Sequence, residues 1–557
     1  MNLKSNNVLS LSEKTSYHSA IWDAFNFEPI NKRFYRELVD RFIVLRDHLT
    51  LQNNISLPES VSFATRLIGR LLFVKFLDKK GLINSKIEYF SAPSGDTKIQ
   101  TTYYKEKLEA LFYKTLNTEI PDRGFSDIIT PYLNGGLFDA SDSDFYDKNI
   151  VTFPDNYFNV FQSVLAKYNF TVDESSPEFQ QVAVDPEMLG RIFESLLGEM
   201  ETKEGDSLRS ATGAFYTSRE IVSYMCEQSV LEYLKSKITD SPERDRRLIE
   251  IITMSESLFR DQDQNKRRDW KPYAQPILDA LETLTVLDPA VGSGAYPMGM
   301  LHLLIKIYTR LDSKYEKNLS KLKRDILSRS LYGSDISTTA IEICRLRAWL
   351  SLIVDISQGE QVVPLPNLEF HFVCANSLIS LSKDVGFFDI PDLKDKMSEI
   401  RRDYYSTNSK AKKQILINKY QKLLNPEKLS IFGGIDNELR TYTPFIHESI
   451  AGFFDPELML GQEKFNIVIG NPPYVSTKGV DPKDKKKLEE NFGFSDDLYS
   501  HFYFKGLELC KDQGVLSYIT SKTFWTIQTK KNVRELLLNN NFIDIYDTAN
   551  PFESVMV

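Results

Sequence analysis

The chain has 557 residues, of which 42% are hydrophobic, 12% aromatic and 26% charged, with a formal net charge of −9. At about 100 to 200 residues per domain this length implies two or three hydrophobic cores, and the composition excludes disordered, collagen-like and low-complexity chains. No apolar run approaches the roughly 18 residues of a bilayer span, and the start MNLKSNNVLSLSEK lacks the apolar core of a secretory signal, so a cytoplasmic protein with no membrane partner is expected.

Residues 1–205 read as a mainly helical domain. Phe63, Leu67, Leu71 and Val74 recur at helical spacing, as do Leu189, Ile192, Phe193, Leu196 and Leu197 behind the start signal Asp185-Pro186-Glu187. Between the two stripes YLNGGLF, at 132–138, carries a turn signal. The polar, aperiodic stretch ETKEGDSLRSATG at 201–213 reads as a linker, and the second domain is placed at 206–557. There, short apolar runs (TLTVLDPA, SLYGSDIS, LEFHFVCANSL, FNIVIGNPPY, GVLSYITSKTFW and FIDIYDTA) alternate with helical stretches. This pattern predicts an α/β fold with a doubly wound, Rossmann-like, mainly parallel sheet. The basic, helix-forming segment at about 391–428 reads as a helical insertion on the rim of the sheet.

Cys226, Cys344, Cys374 and Cys510 form no C-x-x-C pair and no histidine stands at ligand spacing from them, so neither a metal site nor a disulfide is expected. The chemistry lies instead at predicted strand ends. Asp288-Pro289-Ala290-Val291-Gly292-Ser293-Gly294 follows one strand, and its two close glycines let backbone approach a nucleoside, while the next glycine, Gly299, breaks the dinucleotide spacing and disfavours NAD or FAD. Asp335 ends the next strand, where a carboxylate can accept from ribose hydroxyls; Asn376 ends the third and can pair with an adenine edge. Each alone is more often a helix cap, but three at successive strand ends point to one shared crevice. Asn471-Pro472-Pro473-Tyr474 ends the fourth. Its amide oxygen and the Pro472 carbonyl can accept together from one planar amino group, and Tyr474 offers a face to a flat base.

DPAVGSG, YGSDIS and NPPY, in this order, resemble the cofactor and catalytic motifs of gamma-class adenine-specific DNA methyltransferases. TGAFYTS is similar to that family's motif over the methionine part of the cofactor, with Ser218 where proline is usual. YLNGGLF and DPEMLGRIFESLLGE resemble the helical connector of type IIG, Eco57I-like restriction-modification enzymes. The resemblance implies S-adenosylmethionine as cofactor, held by Tyr216, Thr217, Asp288, Ala290, Gly292, Gly294, Asp335, Ile336 and Asn376. Asn471, Pro472, Pro473 and Tyr474 would be catalytic, acting on adenine, which the NPPY form of the loop accompanies. Double-stranded DNA is the implied substrate. The base would be flipped out and stacked on Tyr474, with Phe552 a second candidate ring. Lys478, Lys483, Lys485, Lys486 and Lys487, directly after the catalytic loop, would meet phosphates, although such a run serves equally as a solvated face. The chain further reads as ending where a last, antiparallel strand and the target recognition domain would follow. It is therefore expected to need a separate specificity or nuclease chain, or a continuation, to methylate a defined site. Other readings are a non-catalytic fragment and an NPPY-type methyltransferase acting on RNA or protein.

Overall fold

The computed structural model describes residues 30–123, 127–133, 136–148, 150–170, 183–184, 217–255, 259, 270–356, 362–381, 393–423, 442, 444–446, 449–476, 480 and 482–548. The predicted stripe from Leu189 to Leu197, the linker at 201–213, and Tyr216, Lys478 and Phe552 lie outside them. No helix among the described residues is long and apolar enough to cross a membrane.

Helix α1 spans Ile30–Gln52 and α2 Leu57–Lys79. Pro58 occupies the first turn of α2, where no backbone donor is needed, and Ser56 accepts from the Glu59 N–H while its hydroxyl reaches the Glu59 carboxylate. The predicted stripe Phe63, Leu67, Leu71 and Val74 is buried, but so are most residues between Phe63 and Leu77, which makes α2 a central helix. Its two arginines are buried as well. Arg66 Nε (3.0 Å) and Arg70 Nη1 (3.0 Å) donate to Asp144 Oδ1, and Arg70 Nη2 donates to Oδ2 (2.9 Å). Burial alone would raise the Asp144 carboxyl, but the two guanidiniums outweigh it and hold the group well below the usual carboxylate range.

The later part of the chain forms a five-stranded sheet of β1 (Val286–Asp288), β2 (Leu331–Asp335), β3 (Phe372–Cys374), β4 (Phe465–Gly470) and β5 (Cys510–Tyr518). The order is β3-β2-β1-β4-β5, with every pairing parallel. The order reverses between β1 and β4, and such a switch point opens a crevice at the carboxyl ends of the strands. Successive residues of a strand face opposite sides, and the core divides accordingly. Val286, Leu331, Phe372, Ile467 and Ile469 join one apolar cluster with α3 (Arg219–Lys237), α4 (Ala295–Leu311), α5 (Thr338–Val354) and the N-terminal helices. Leu287, Tyr332, Val373 and Val468 join a second cluster on the other side.

In the described part of the segment at about 391–428, α6 (Leu393–Ser406) and α7 (Lys410–Leu423) join the second cluster through Met397, Ile400 and Tyr404 on α6 and Leu416 and Tyr420 on α7, with Tyr404 and Tyr420 packed on Phe370 just before β3. One expectation needs correcting, that for FIDIYDTA. Its described residues, 542–548, form no strand, and Phe542, Ile543, Ile545 and Tyr546 are exposed. Alternating apolar residues make a strand only beside a ladder partner. This segment instead meets α3, with the Tyr224 hydroxyl 3.2 Å from Asp544 Oδ2 and the Tyr224 and Tyr546 rings 5.5 Å apart.

The N-terminal helices dock on α5 and its surroundings. Arg66 Nη1 reaches Glu342 Oε1 at 3.3 Å, and the Lys80 ammonium donates to the carbonyls of Val354 and Ile356. Of the Asn-Gly-Gly turn, Gly136 is described. A Cβ there would fall 2.7 Å from Glu369 Oε1 and 3.6 Å from the Trp349 ring, so the glycine admits the neighbouring part of the fold.

His371, buried and stacked on Tyr332, donates from Nε2 to the Ser328 carbonyl (2.8 Å), while its Nδ1 has no partner. Burial pushes its pKa down to about 4. A histidine that is neutral in the fold but titrates near 6.5 when unfolded contributes stability that is complete above pH 6.5 and lost as the pH falls towards 4. The loss is up to about 3 kcal/mol. Burial lowers His501 and His48 in the same direction. Urea unfolding at pH 7.5 and pH 5 should show the drop, and His371→Gln should make it smaller.

Candidate active site

β1 runs through the loop 288–294 into α4. Gly292 (φ +51°) and Gly294 (φ +86°) take left-handed conformations that strain other residues. A Cβ on Gly292 would meet nothing within 4 Å, so the loop faces open space there, whereas one on Gly294 would lie 2.7 Å from Cys344 Sγ of α5. The Gly292 N–H donates to Asp335 Oδ2 (2.9 Å), and the Ser337 N–H holds Asp335 Oδ1 (2.8 Å). Ile336, next in sequence, is exposed. The Asp335 carbonyl accepts from the Ala375 N–H (2.9 Å), which brings in the end of β3 and Asn376. The Asn376 Oδ1 is taken by the Leu378 N–H (3.2 Å), a local turn, so its Nδ2 is the group it can turn to a ligand.

Asp288 is the most enclosed group of the crevice. Its Oδ1 accepts from the Ala290 N–H at 3.0 Å, and its Oδ2 is buried with no hydrogen-bond partner. Burial pushes its carboxyl well above the usual range. The Ala290 N–H offsets part of this, and nearby Asp335 adds to it. Burial also raises Asp335. Two carboxylates in one crevice, one with an oxygen facing no donor, suit a cation that brings its own N–H or O–H groups.

β4 delivers the fourth loop. A Cβ on Gly470 would sit 2.6 Å from Asp288 Oδ1, so only glycine lets this strand end pass the carboxylate. Asn471 follows. Its Nδ2 donates to Thr217 Oγ1 (3.1 Å), which is buried at the start of α3, and its Oδ1 accepts from the Tyr474 hydroxyl (2.9 Å). Pro472 is buried, while Pro473 and Tyr474 are half-buried. The Tyr474 ring stands edge-on to Tyr499, with centroids 6.2 Å apart. Thr217, Asp288, Ala290, Gly292, Gly294, Asp335, Ile336, Asn376 and Asn471 to Tyr474 thus gather on the loops at one end of the sheet and the start of α3.

A match to the family model described as Eco57I restriction-modification methylase covers residues 329–553, which include Asp335, Asn376 and the whole Asn471–Tyr474 loop. The resemblance is to the Eco57I-type methylases. RM.MjaORFECS2P of Methanocaldococcus jannaschii, named as a type II restriction enzyme and methyltransferase, is 27% identical over 580 aligned positions, 87% of this chain and 47% of that protein. RM.Eco57I of Escherichia coli, named as a type II restriction enzyme and methyltransferase, is 22% identical over 278 positions, 46% of this chain and 22% of that one. The structure of the type IIL restriction-modification enzyme MmeI in complex with DNA aligns with a TM-score of 0.46 and 16% identity, over 85% of this chain and 48% of that chain. The chain spans about half the length, or less, of these curated relatives.

Of the lysines expected to meet phosphates, Lys483, Lys485, Lys486 and Lys487 lie on α8 (Pro482–Phe492), where Lys483, Lys485 and Lys486 are exposed, Lys487 is half-buried, and Lys486 stands 3.6 Å from Glu490. Sequence reasoning overlooked two residues of the site. Gly470 clears the Asp288 carboxylate, and its signal was a glycine directly before Asn471. Arg347 on α5, itself buried, donates to the Ser293 carbonyl (2.9 Å) and braces the glycine loop; its signal was a cation inside the apolar stretch IEICRLRAWLSL.

Proposed function

We propose that the chain is the methyltransferase part of a type II restriction-modification enzyme, and that it moves a methyl group from S-adenosylmethionine to the exocyclic amino group of adenine in duplex DNA. The observation behind this reading is the Asn471 amide, held at both ends, one residue from the strand end that abuts Asp288. The residues fit the cofactor. The partnerless Asp288 Oδ2 wants a donor, Asp335 is presented by two backbone N–H groups, and Gly292 borders open space. When bound, S-adenosylmethionine would supply an electrophilic sulfonium methyl.

The adenine amino group is a weak nucleophile because its lone pair is delocalised into the ring. Asn471 Oδ1 and the Pro472 carbonyl, as acceptors for its two hydrogens, favour the pyramidal nitrogen of the transition state. The base must leave the helix stack to reach them, and the Tyr474 ring is the surface to receive it. The net charge of −9 is no obstacle, since the exposed Lys485 and Lys486 follow the catalytic loop and charge acts locally. Transfer of labelled methyl to duplexes with and without adenine tests the reading: label on both alike, or on neither, would refute it.

Asp335→Ala should weaken cofactor binding by about 1 to 3 kcal/mol, as ribose contacts and the anchor of the Gly292 loop are lost together. Calorimetry showing unchanged affinity would remove Asp335 from the site.

A second reading has one observation behind it, the exposed Phe542, Ile543, Ile545 and Tyr546 on a segment that meets α3. On this reading a separate specificity or nuclease chain, or a further segment, must cover this face before a defined site is methylated. Methylation of adenine by the chain alone with no defined site would favour it, and a defined methylated site would sink it.

A further inference from the structure

The Tyr474 ring has a role in the function proposed above; its hydroxyl does not. Yet the hydroxyl lies 2.9 Å from Asn471 Oδ1 and 3.0 Å from the carbonyl of Ile519, just beyond β5. Ile519 is itself tied to the strand that carries the loop, its N–H donating to the Gly470 carbonyl at 3.1 Å. The phenol is thus clamped between the ends of β4 and β5. At the other end of the amide, Nδ2 is bonded to Thr217 Oγ1.

An asparagine amide has two orientations that differ by exchange of oxygen and nitrogen, and only one presents an acceptor to an amino group. Thr217 Oγ1 accepts at one end, and at the other the phenol shares its one proton between Asn471 Oδ1 and the Ile519 carbonyl, so the two hydroxyls hold the amide in a fixed plane with Oδ1 on the phenol side. They also add something to it. The bond from Nδ2 to Thr217 draws charge through the conjugated amide onto Oδ1, which makes it a stronger acceptor for a hydrogen of the target amino group. We propose that the Tyr474 hydroxyl and Thr217 Oγ1 are positioning groups that set the Asn471 amide with its oxygen towards the target amino group. The inference rests on the adenine-methylation reading, because it concerns how the acceptor of that reaction is held.

The test separates hydroxyl from ring. Single-turnover methyl transfer is measured on unmethylated plasmid DNA at saturating S-adenosylmethionine, with the DNA concentration varied, for the wild type, Tyr474→Phe, Tyr474→Ala, Thr217→Val and Thr217→Ser. Tyr474→Phe and Thr217→Val should each lower the rate at saturating DNA by about 10- to 50-fold, with the half-saturating DNA concentration changed less than about 2-fold. Tyr474→Ala should also raise the half-saturating concentration, because it removes the ring, and Thr217→Ser should restore most of the rate. Circular dichroism melts of the variants should match the wild type. Wild-type rates in both Tyr474→Phe and Thr217→Val would overturn the inference while leaving the methylation reading intact. A wild-type protein that puts no methyl on adenine would overturn both. Loss in Tyr474→Phe through half-saturation alone would assign the hydroxyl to base capture and overturn the positioning role.

Discussion

Asn471→Ala should lower methyl transfer by about 100- to 1000-fold, or roughly 3 to 4 kcal/mol in the barrier, while cofactor affinity changes little. The side chain supplies an acceptor that matters as the nitrogen becomes pyramidal, and in the resting site it is bonded to Thr217 and Tyr474. Truncation leaves the Asp288 and Asp335 side of the crevice unaltered, so calorimetric titration with S-adenosylmethionine should be near wild type. Single-turnover transfer measures the loss. Full activity in the truncated protein would mean that the acceptor lies elsewhere.

The second large effect is on stability. Asp144→Ala should cost about 3 to 5 kcal/mol, because it leaves two buried guanidiniums facing each other without their shared counter-ion. Arg70 keeps bonds to the Tyr113 hydroxyl and the carbonyls of Leu137 and Asp139, but none of these carries a formal charge. Arg66 keeps Glu342 at 3.3 Å, which softens the loss on its side. Replacing the trio with apolar residues of similar volume should do less harm than removing the carboxylate alone. Urea denaturation provides the measurement, and a loss under about 1 kcal/mol would show that the arginines find other partners.

What was legible in the sequence follows a physical divide. The strand ends could be read because a site at a switch point needs punctuation: glycines for left-handed turns at 292 and 294, a carboxylate at 335, an amide and prolines at 471 to 473. These are local requirements, written in adjacent residues. The packing of α6 and α7 on Phe370 was not legible, because a helix with both a basic and an apolar stripe does not name the partner of the apolar one. FIDIYDTA misled for the same reason, since a strand pattern states a capacity to pair while the partner lies outside the pattern. Within the site, Gly470 and Arg347 act across 182 and 54 residues respectively, on Asp288 and on Ser293, and no local window contains both ends of either contact.

The docking of α2 on α5 also sets an order of events during synthesis. Asp144 follows Arg66 by 78 residues, whereas Glu342 follows it by 276, and the carbonyl of Ile356 follows Lys80 by 276. At 5 to 20 residues per second, the carboxylate that neutralises the two arginines is made roughly 4 to 16 s after them, and the surface of α5 roughly 14 to 55 s after. The charged centre of the helical part can therefore close while the ribosome is still far from the sheet, and the side of α2 that meets α5 waits, exposed, for the better part of a minute on a slow message.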